Sequence, residues 1–163
     1  MPFRKPHQTS DSKYIDTKVN GYEIGPKGLN IIWGNDLRYW KITQDEYAEL
    51  IQVSWLEVSG KVSVERGKTY NVKFDVEVKA NGFGWENTPV LVMAKIGKKG
   101  SYQYKEVRLA CGKAQTIPED YNNLTVTVGG QENDLELHFG LYEVWSGKWK
   151  GGLIIKKAEV KVT

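Results

Sequence analysis

Six tryptophans among 163 residues are the most distinctive chemical feature of this sequence. Trp33 and Trp40 bracket the polar stretch Gly34-Asn35-Asp36-Leu37-Arg38-Tyr39, and Trp145 and Trp149 bracket Ser146-Gly147-Lys148. Indole rings in loops, beside amides and carboxylates, are what a sugar-binding surface requires. The apolar C–H face of a pyranose stacks on the ring while polar side chains bond its hydroxyls. A single Trp in a β protein more often caps the core, but two pairs at two turns shift the weight toward a site. Trp55 adjoins Leu56 in an apolar-rich stretch and reads as structural. Trp85, in the glycine-rich loop Asn81 to Asn87, fits either role.

A second constellation is acidic. Glu132-Asn133-Asp134-Leu135-Glu136 spells E-x-D-x-E, and on one strand it would align three carboxylates on a face. Carboxylates so placed shift one another's pKa, as a glycosidase needs of its acid and nucleophile. A charged turn entering a strand after Gly129-Gly130 accounts for the same residues, and it is the preferred reading. Other chemistries lack their residues. His7 lies in a polar N-terminal segment, His138 sits between Leu137 and Phe139, and Cys111 is the single cysteine. No zinc-ligand spacing, phosphate-binding loop or dinucleotide fingerprint is present. No metal, cofactor or catalytic residue is therefore assigned.

The elements that must position these groups are strands. Tyr70, Val72, Phe74, Val76 and Val78 alternate with polar residues, as in an antiparallel strand with one wet face. The pattern recurs at Leu56 to Val64, with Gly60 as an expected bulge, at Leu124 to Val128, at Leu135 to Leu141 and at Ala158 to Val162. Val90 to Ile96 is apolar on both faces and reads as a more central strand. Turn signals at Glu65 to Gly67, Asn81-Gly82, Gly97 to Gly100, Gly129-Gly130 and Gly151-Gly152 separate the runs. One helix is predicted, where Thr43-Gln44-Asp45-Glu46 forms a capping box ahead of Tyr47, Leu50 and Ile51. The predicted fold is all-β: an antiparallel β-sandwich of jelly-roll type with one short helix.

Composition narrows the function classes. A mean hydropathy of -0.51, with no long apolar run, gives no transmembrane helix. Met1 to Ser10 lacks an apolar signal-peptide core, so Sec-type secretion is not expected. The lone Cys111 fits a reducing compartment or a bridge between chains. Of the net +3, two units lie in residues 1–27, which read as an extended N-terminal arm ahead of a domain at 28–163. No dense Lys/Arg face marks a nucleic-acid binder. RNA contact through the basic arm is carried only as a minor alternative.

From Leu29-Asn30-Ile31-Ile32-Trp33 through Tyr39-Trp40, the sequence resembles the opening motif of the Nictaba-like lectins, also called the phloem protein 2 family. The resemblance continues through Ala48-Glu49-Leu50 and Val53-Ser54-Trp55-Leu56-Glu57-Val58-Ser59-Gly60-Lys61. It closes with Tyr142-Glu143 and Trp149-Lys150-Gly151-Gly152-Leu153. It implies a non-enzymatic lectin of plant cytosol, nucleus or phloem sap, often a homodimer, and points toward the cucurbit phloem members. The implied partners are N-acetylglucosamine oligomers and the chitobiose core of N-glycans. The family's two motif tryptophans fall on Trp33 and Trp40, and a family glutamate falls on Glu143. The chain departs from the pattern at Trp145 and in its ending, Glu159 to Thr163. The expected sugar site thus comprises Trp33, Asn35, Trp40, Glu143, Trp145 and Trp149, with the small glycosidase using Glu132, Asp134 and Glu136 as the alternative.

Overall fold

The computed structural model describes residues 7–43, 47–119 and 123–163. The chain forms β1 (Ile15–Lys18), β2 (Gly21–Ile24), β3 (Asn30–Ile31), β4 (Trp40–Ile42), β5 (Ala48–Leu50) and β6 (Leu56–Ser63). There follow β7 (Thr69–Phe83), β8 (Val90–Ile96), β9 (Gln103–Val107), β10 (Lys113–Ile117), β11 (Leu124–Thr127), β12 (Glu136–Glu143) and β13 (Gly151–Val162). One sheet has the order β3-β6-β12-β8-β9. The other runs β1-β2-β13-β5-β4, with β7 pairing β13, β10 and β11. Every pairing is antiparallel.

Alternation explains the layering. Tyr70, Val72, Phe74, Val76 and Val78 of β7 are buried, and Leu137, Phe139 and Leu141 of β12 are buried facing them. The Phe74 and Phe139 rings meet across the two sheets with centroids 6.0 Å apart. This is the β-sandwich that period two predicts. Gly60 is not a bulge, because β6 and β12 stay in register from Leu56↔Glu143 to Ser63↔Glu136. Its role is clearance: a Cβ there would lie 2.6 Å from Phe139 Cζ. The segment expected as an arm contributes β1 and β2, and β2 pairs with β13.

The predicted helix is replaced by a β4–β5 hairpin. Gln44 to Glu46 lie outside the described residues, but Thr43 and Tyr47 flank them in hairpin geometry. Thr43 Oγ1 accepts the Tyr47 N–H and donates to Tyr47 O, both at 3.0 Å. Ala48 and Leu50 are buried, and Glu49 turns outward beside Lys79. The same residues satisfy period two, and pairing with β13 at Ile154↔Glu49 supplies long-range bonds that a capping box cannot match. The turn expected at Asn81-Gly82 falls two residues later, since β7 runs to Phe83 and Gly84 takes φ 88°. Gly152, at φ 82°, forms a bulge within β13 rather than a turn ahead of it.

Candidate functional site

The Trp33 turn follows from what lies on either side of it. Ile31 is fully buried in β3, and Gly34 N–H returns to Ile31 O at 2.9 Å. Closing that turn places Trp33 at φ 66°, a left-handed conformation that costs a non-glycine residue of order 1–3 kcal/mol. The N-terminal segment braces it. The buried Gln8 amide donates to Pro26 O and Leu29 O, His7 Nδ1 accepts the Trp33 N–H at 2.9 Å, and Asn35 Nδ2 donates to His7 O at 3.0 Å. Asp36 O then accepts the N–H groups of Tyr39 and Trp40, and Arg38 chelates the Asp36 carboxylate. Those hydrogen bonds hold the Asp36 carboxyl below its ordinary range.

The result is a run of rings. His7 meets Trp33 edge-on at 5.5 Å, Trp33 meets Tyr39 at 5.8 Å, and Tyr39 stacks on Trp149 at 6.5 Å and 26°. Trp33, Tyr39, Val53, Ser54, Trp55 and Trp149 line an open cleft of about 160 Å³. Trp55 and Trp149 are 47% and 53% exposed.

A buried ion pair holds the far wall. Val53 and Lys150 exchange both backbone hydrogen bonds at 2.9 Å, which brings Trp149 beside the 53–55 segment. The Lys150 side chain is fully buried. Its ammonium lies 3.0 Å from Glu143 Oε1 and donates to Ser54 O at 3.0 Å and Glu143 O at 3.4 Å. The Glu143 carboxylate also accepts from Ser146 Oγ and from the N–H groups of Trp145 and Ser146. Burial would raise the Glu143 carboxyl, but the bonds from Ser146 and Lys150 and the Lys150 charge outweigh it and hold it below its ordinary value. Burial pulls the Lys150 ammonium below its own ordinary value against the pull of Glu143. One carboxylate therefore joins the turn bearing Trp145, the strand start bearing Trp149, and the backbone beside Trp55.

The expected residues separate on this geometry. Trp33 and Trp149 wall the cleft, whereas Asn35 is exposed, lies outside the cleft lining and holds His7. Trp40 is 1% exposed, so it belongs to the core and presents no face to a ligand; its Nε1 has no hydrogen-bond partner among the described residues. Glu143 is a buried bracket rather than an open acceptor. Trp145 is 62% exposed and projects from its turn outside the cleft lining. Trp55 is corrected from core to cleft. Adjacent strand residues face opposite ways, so burial of Leu56 turns Trp55 outward, a signal already present in the sequence. Tyr39, which links the two tryptophans, carried no separate signal.

The acidic run does not align on a strand face, since only Glu136 lies within β12. Glu132 accepts the Asp134 N–H, Asp134 accepts the Lys98 N–H, and Glu136 pairs with Lys61 at 3.6 Å. A larger hollow of about 300 Å³ lies at the far end of β6, between Thr17–Tyr22 and Ser63–Lys68. The hydroxyls of its two tyrosines are engaged, Tyr22 donating to Ser63 O and Tyr70 accepting from Glu65 N–H. Size alone does not make it the better site.

Comparison with known proteins places the chain in a family. Residues 20–162 match the family model described as Phloem protein 2. Protein PHLOEM PROTEIN 2-LIKE A9 of Arabidopsis thaliana is 39% identical over 171 residues, covering 95% of each chain. A protein of Luffa acutangula named "Lectin" is 33% identical over 104 residues, 58% of this chain and 49% of that one. Among solved structures, the GH26-CBM35 β-(1,4)-mannanase of Podospora anserina superposes with a TM-score of 0.50 at 9% identity, over 90% of this chain and 28% of that one.

Proposed function

The chain belongs to the phloem protein 2 family, and on that premise we propose that it is a lectin binding N-acetylglucosamine oligomers in the cleft of Trp33, Tyr39, Trp55 and Trp149. The observation that carries the reading is the exposure of flat aromatic faces around one open cleft. A folded chain gains by burying Trp, and a cluster left open to solvent is a ligand surface in waiting. Pyranose C–H faces would stack on Trp149 and Trp55, and the N-acetyl methyl would pack against Trp33. Kinship with a protein named as a lectin supports the same class of ligand.

The charges around the cleft favour a neutral ligand. Arg38, whose guanidinium lies 5.1 Å from the Tyr39 ring centroid, pairs with Asp36 at 2.7 Å, and Lys150 pairs with Glu143 at 3.0 Å, so each of these cations already has a carboxylate partner. The reading is of binding without cleavage. Glycoside hydrolysis needs two carboxyls flanking the bond, and the described residues that line the cleft include no carboxylate. Stacking contributes about 0.5–1.5 kcal/mol per aromatic contact, so a single site would bind modestly. A homodimer, the state often found in the family, would add avidity on polymeric N-glycans and chitin fragments.

An array carrying chito-oligosaccharides beside xylan, mannan and cellulose oligomers tests the proposal. Preference for the N-acetylglucosamine series is expected, and preference for another series would replace the sugar named here. Labelled chitotriose incubated with the protein should be recovered intact, whereas its hydrolysis would overturn the non-catalytic reading.

A further inference from the structure

Beyond the end cleft, the outer face of the five-stranded sheet carries a built hollow. Alternation along β6 and β12 turns Glu57, Ser59 and Lys61, with His138, Gly140 and Tyr142, away from the core. All of these except Gly140 border a depression of about 230 Å³ that Asn30 and Tyr102 help to complete. Three features set it apart from an ordinary polar sheet face.

The first is an aromatic platform. Tyr142 lies back along its own strand over Gly140, where a Cβ would stand 2.6 Å from Tyr142 Cε2 and Oη. Only glycine at 140 allows the ring to lie against the sheet. The second is an unmet polar atom. His138 borders the hollow, and its Nε2 is buried with no hydrogen-bond partner among the described residues. Such an atom is costly unless something bonds it. The third is charge. Glu57 and Lys61 are the charged residues of the lining, and they cancel; Lys61 is further paired with Glu136 at 3.6 Å. A nucleic acid or phosphate would need an excess of Lys or Arg, so the lining favours an uncharged polyol.

A hydrogen bond also links the hollow to the cleft. Trp55 lines the cleft with its ring and donates Nε1–H to Glu57 at 3.0 Å, and Glu57 is the cross-strand partner of Tyr142. From Trp55 to Ser59 the strand advances roughly 13 Å at about 3.3 Å per residue, more than one sugar ring. We infer that the outer face of β6 and β12 is a second sugar-binding stretch, so that an N-acetylglucosamine oligomer longer than the cleft runs over Trp55 and Glu57 onto Tyr142. The inference rests on the carbohydrate reading of the cleft and extends it from a terminal site to a chain-length sensor.

The test is calorimetric titration of the intact protein with chitobiose and with chitohexaose. The variants are Tyr142→Ala, which removes the platform, and Ser59→Trp, which fills the hollow from a half-buried outer position and tests the face even if Tyr142→Ala does not fold. Chitohexaose should bind wild type more tightly than chitobiose. Each folded variant should lose about 2- to 12-fold of the chitohexaose affinity, the loss of one aromatic contact, with chitobiose unchanged. An unchanged ratio of the two affinities in Ser59→Trp overturns the second stretch while leaving the cleft intact. Failure of wild type to bind either sugar overturns both.

Discussion

Replacing Lys150 by Met removes the cation from a carboxylate that is almost fully enclosed; the two side chains are 0% and 4% exposed. Three other donors remain on Glu143, from Ser146 Oγ and the N–H groups of Trp145 and Ser146, but the negative charge is stranded in the interior. The carbonyls of Ser54 and Glu143 also lose their donor. Breaking one side of a buried pair costs about 3–5 kcal/mol, a large share of the roughly 5–15 kcal/mol that stabilises a typical domain. At about 2–4 °C per kcal/mol, the midpoint should fall by roughly 6–20 °C. Urea unfolding of four proteins (wild type, each single variant and the double variant) measures it. Adding Glu143→Gln to Lys150→Met should recover part of the loss, because an amide still accepts the two N–H groups and no charge is stranded. A cost for Lys150→Met below about 1 kcal/mol, the range of an exposed pair, would refute the reasoning. So would a double variant less stable than Lys150→Met alone.

The same pair predicts a pH response. The folded Glu143 carboxyl lies below its ordinary 4.5, so its contribution is complete above that value and is lost as pH falls through the folded one. Acid titration of stability should show this component in wild type and lack it in Glu143→Gln; parallel curves would remove Glu143 from the account. Trp40→Phe keeps most of the core filling and deletes an Nε1 that has no partner among the described residues, so stability and chitotriose binding should both be largely retained, whereas Trp40→Ala should cost about 3–5 kcal/mol. Loss of binding by a well-folded Trp40→Phe would place Trp40 in the site. Gly60→Ala should cost about 1–3 kcal/mol in urea unfolding by forcing the Phe139 ring aside. A neutral result would mean that the core gives way there.

The sheet pattern was legible because burial on one face imposes period two on the residues themselves, as from Tyr70 to Val78. The strand at Ala48–Leu50 was not, because its local signal, a threonine three residues ahead of a glutamate, favours a helix. The partner that overrules it, β13, lies more than a hundred residues away. Aromatic enrichment at the Trp33 and Trp149 turns pointed to the end of the molecule that carries the cleft. Spacing could not separate exposed from buried rings within a motif: Trp33 and Trp40 stand seven residues apart, and only the turn at φ 66° decides which faces out. Glu143 entered the expected site through the family resemblance, and nothing local in the sequence announced its burial with Lys150, the residue before β13. Alternation from Leu56 already implied that Trp55 faces outward, and an apolar neighbourhood outweighed it.

The central claim is that the rings around the cleft hold a sugar. Calorimetric titration of chitotriose into wild type, Trp149→Ala and Trp55→Ala tests it most directly, with thermal unfolding confirming that each variant is folded. Saturable binding by wild type, weakened about 2- to 12-fold in each variant, is the predicted result. Undiminished affinity in both folded variants would contradict the claim.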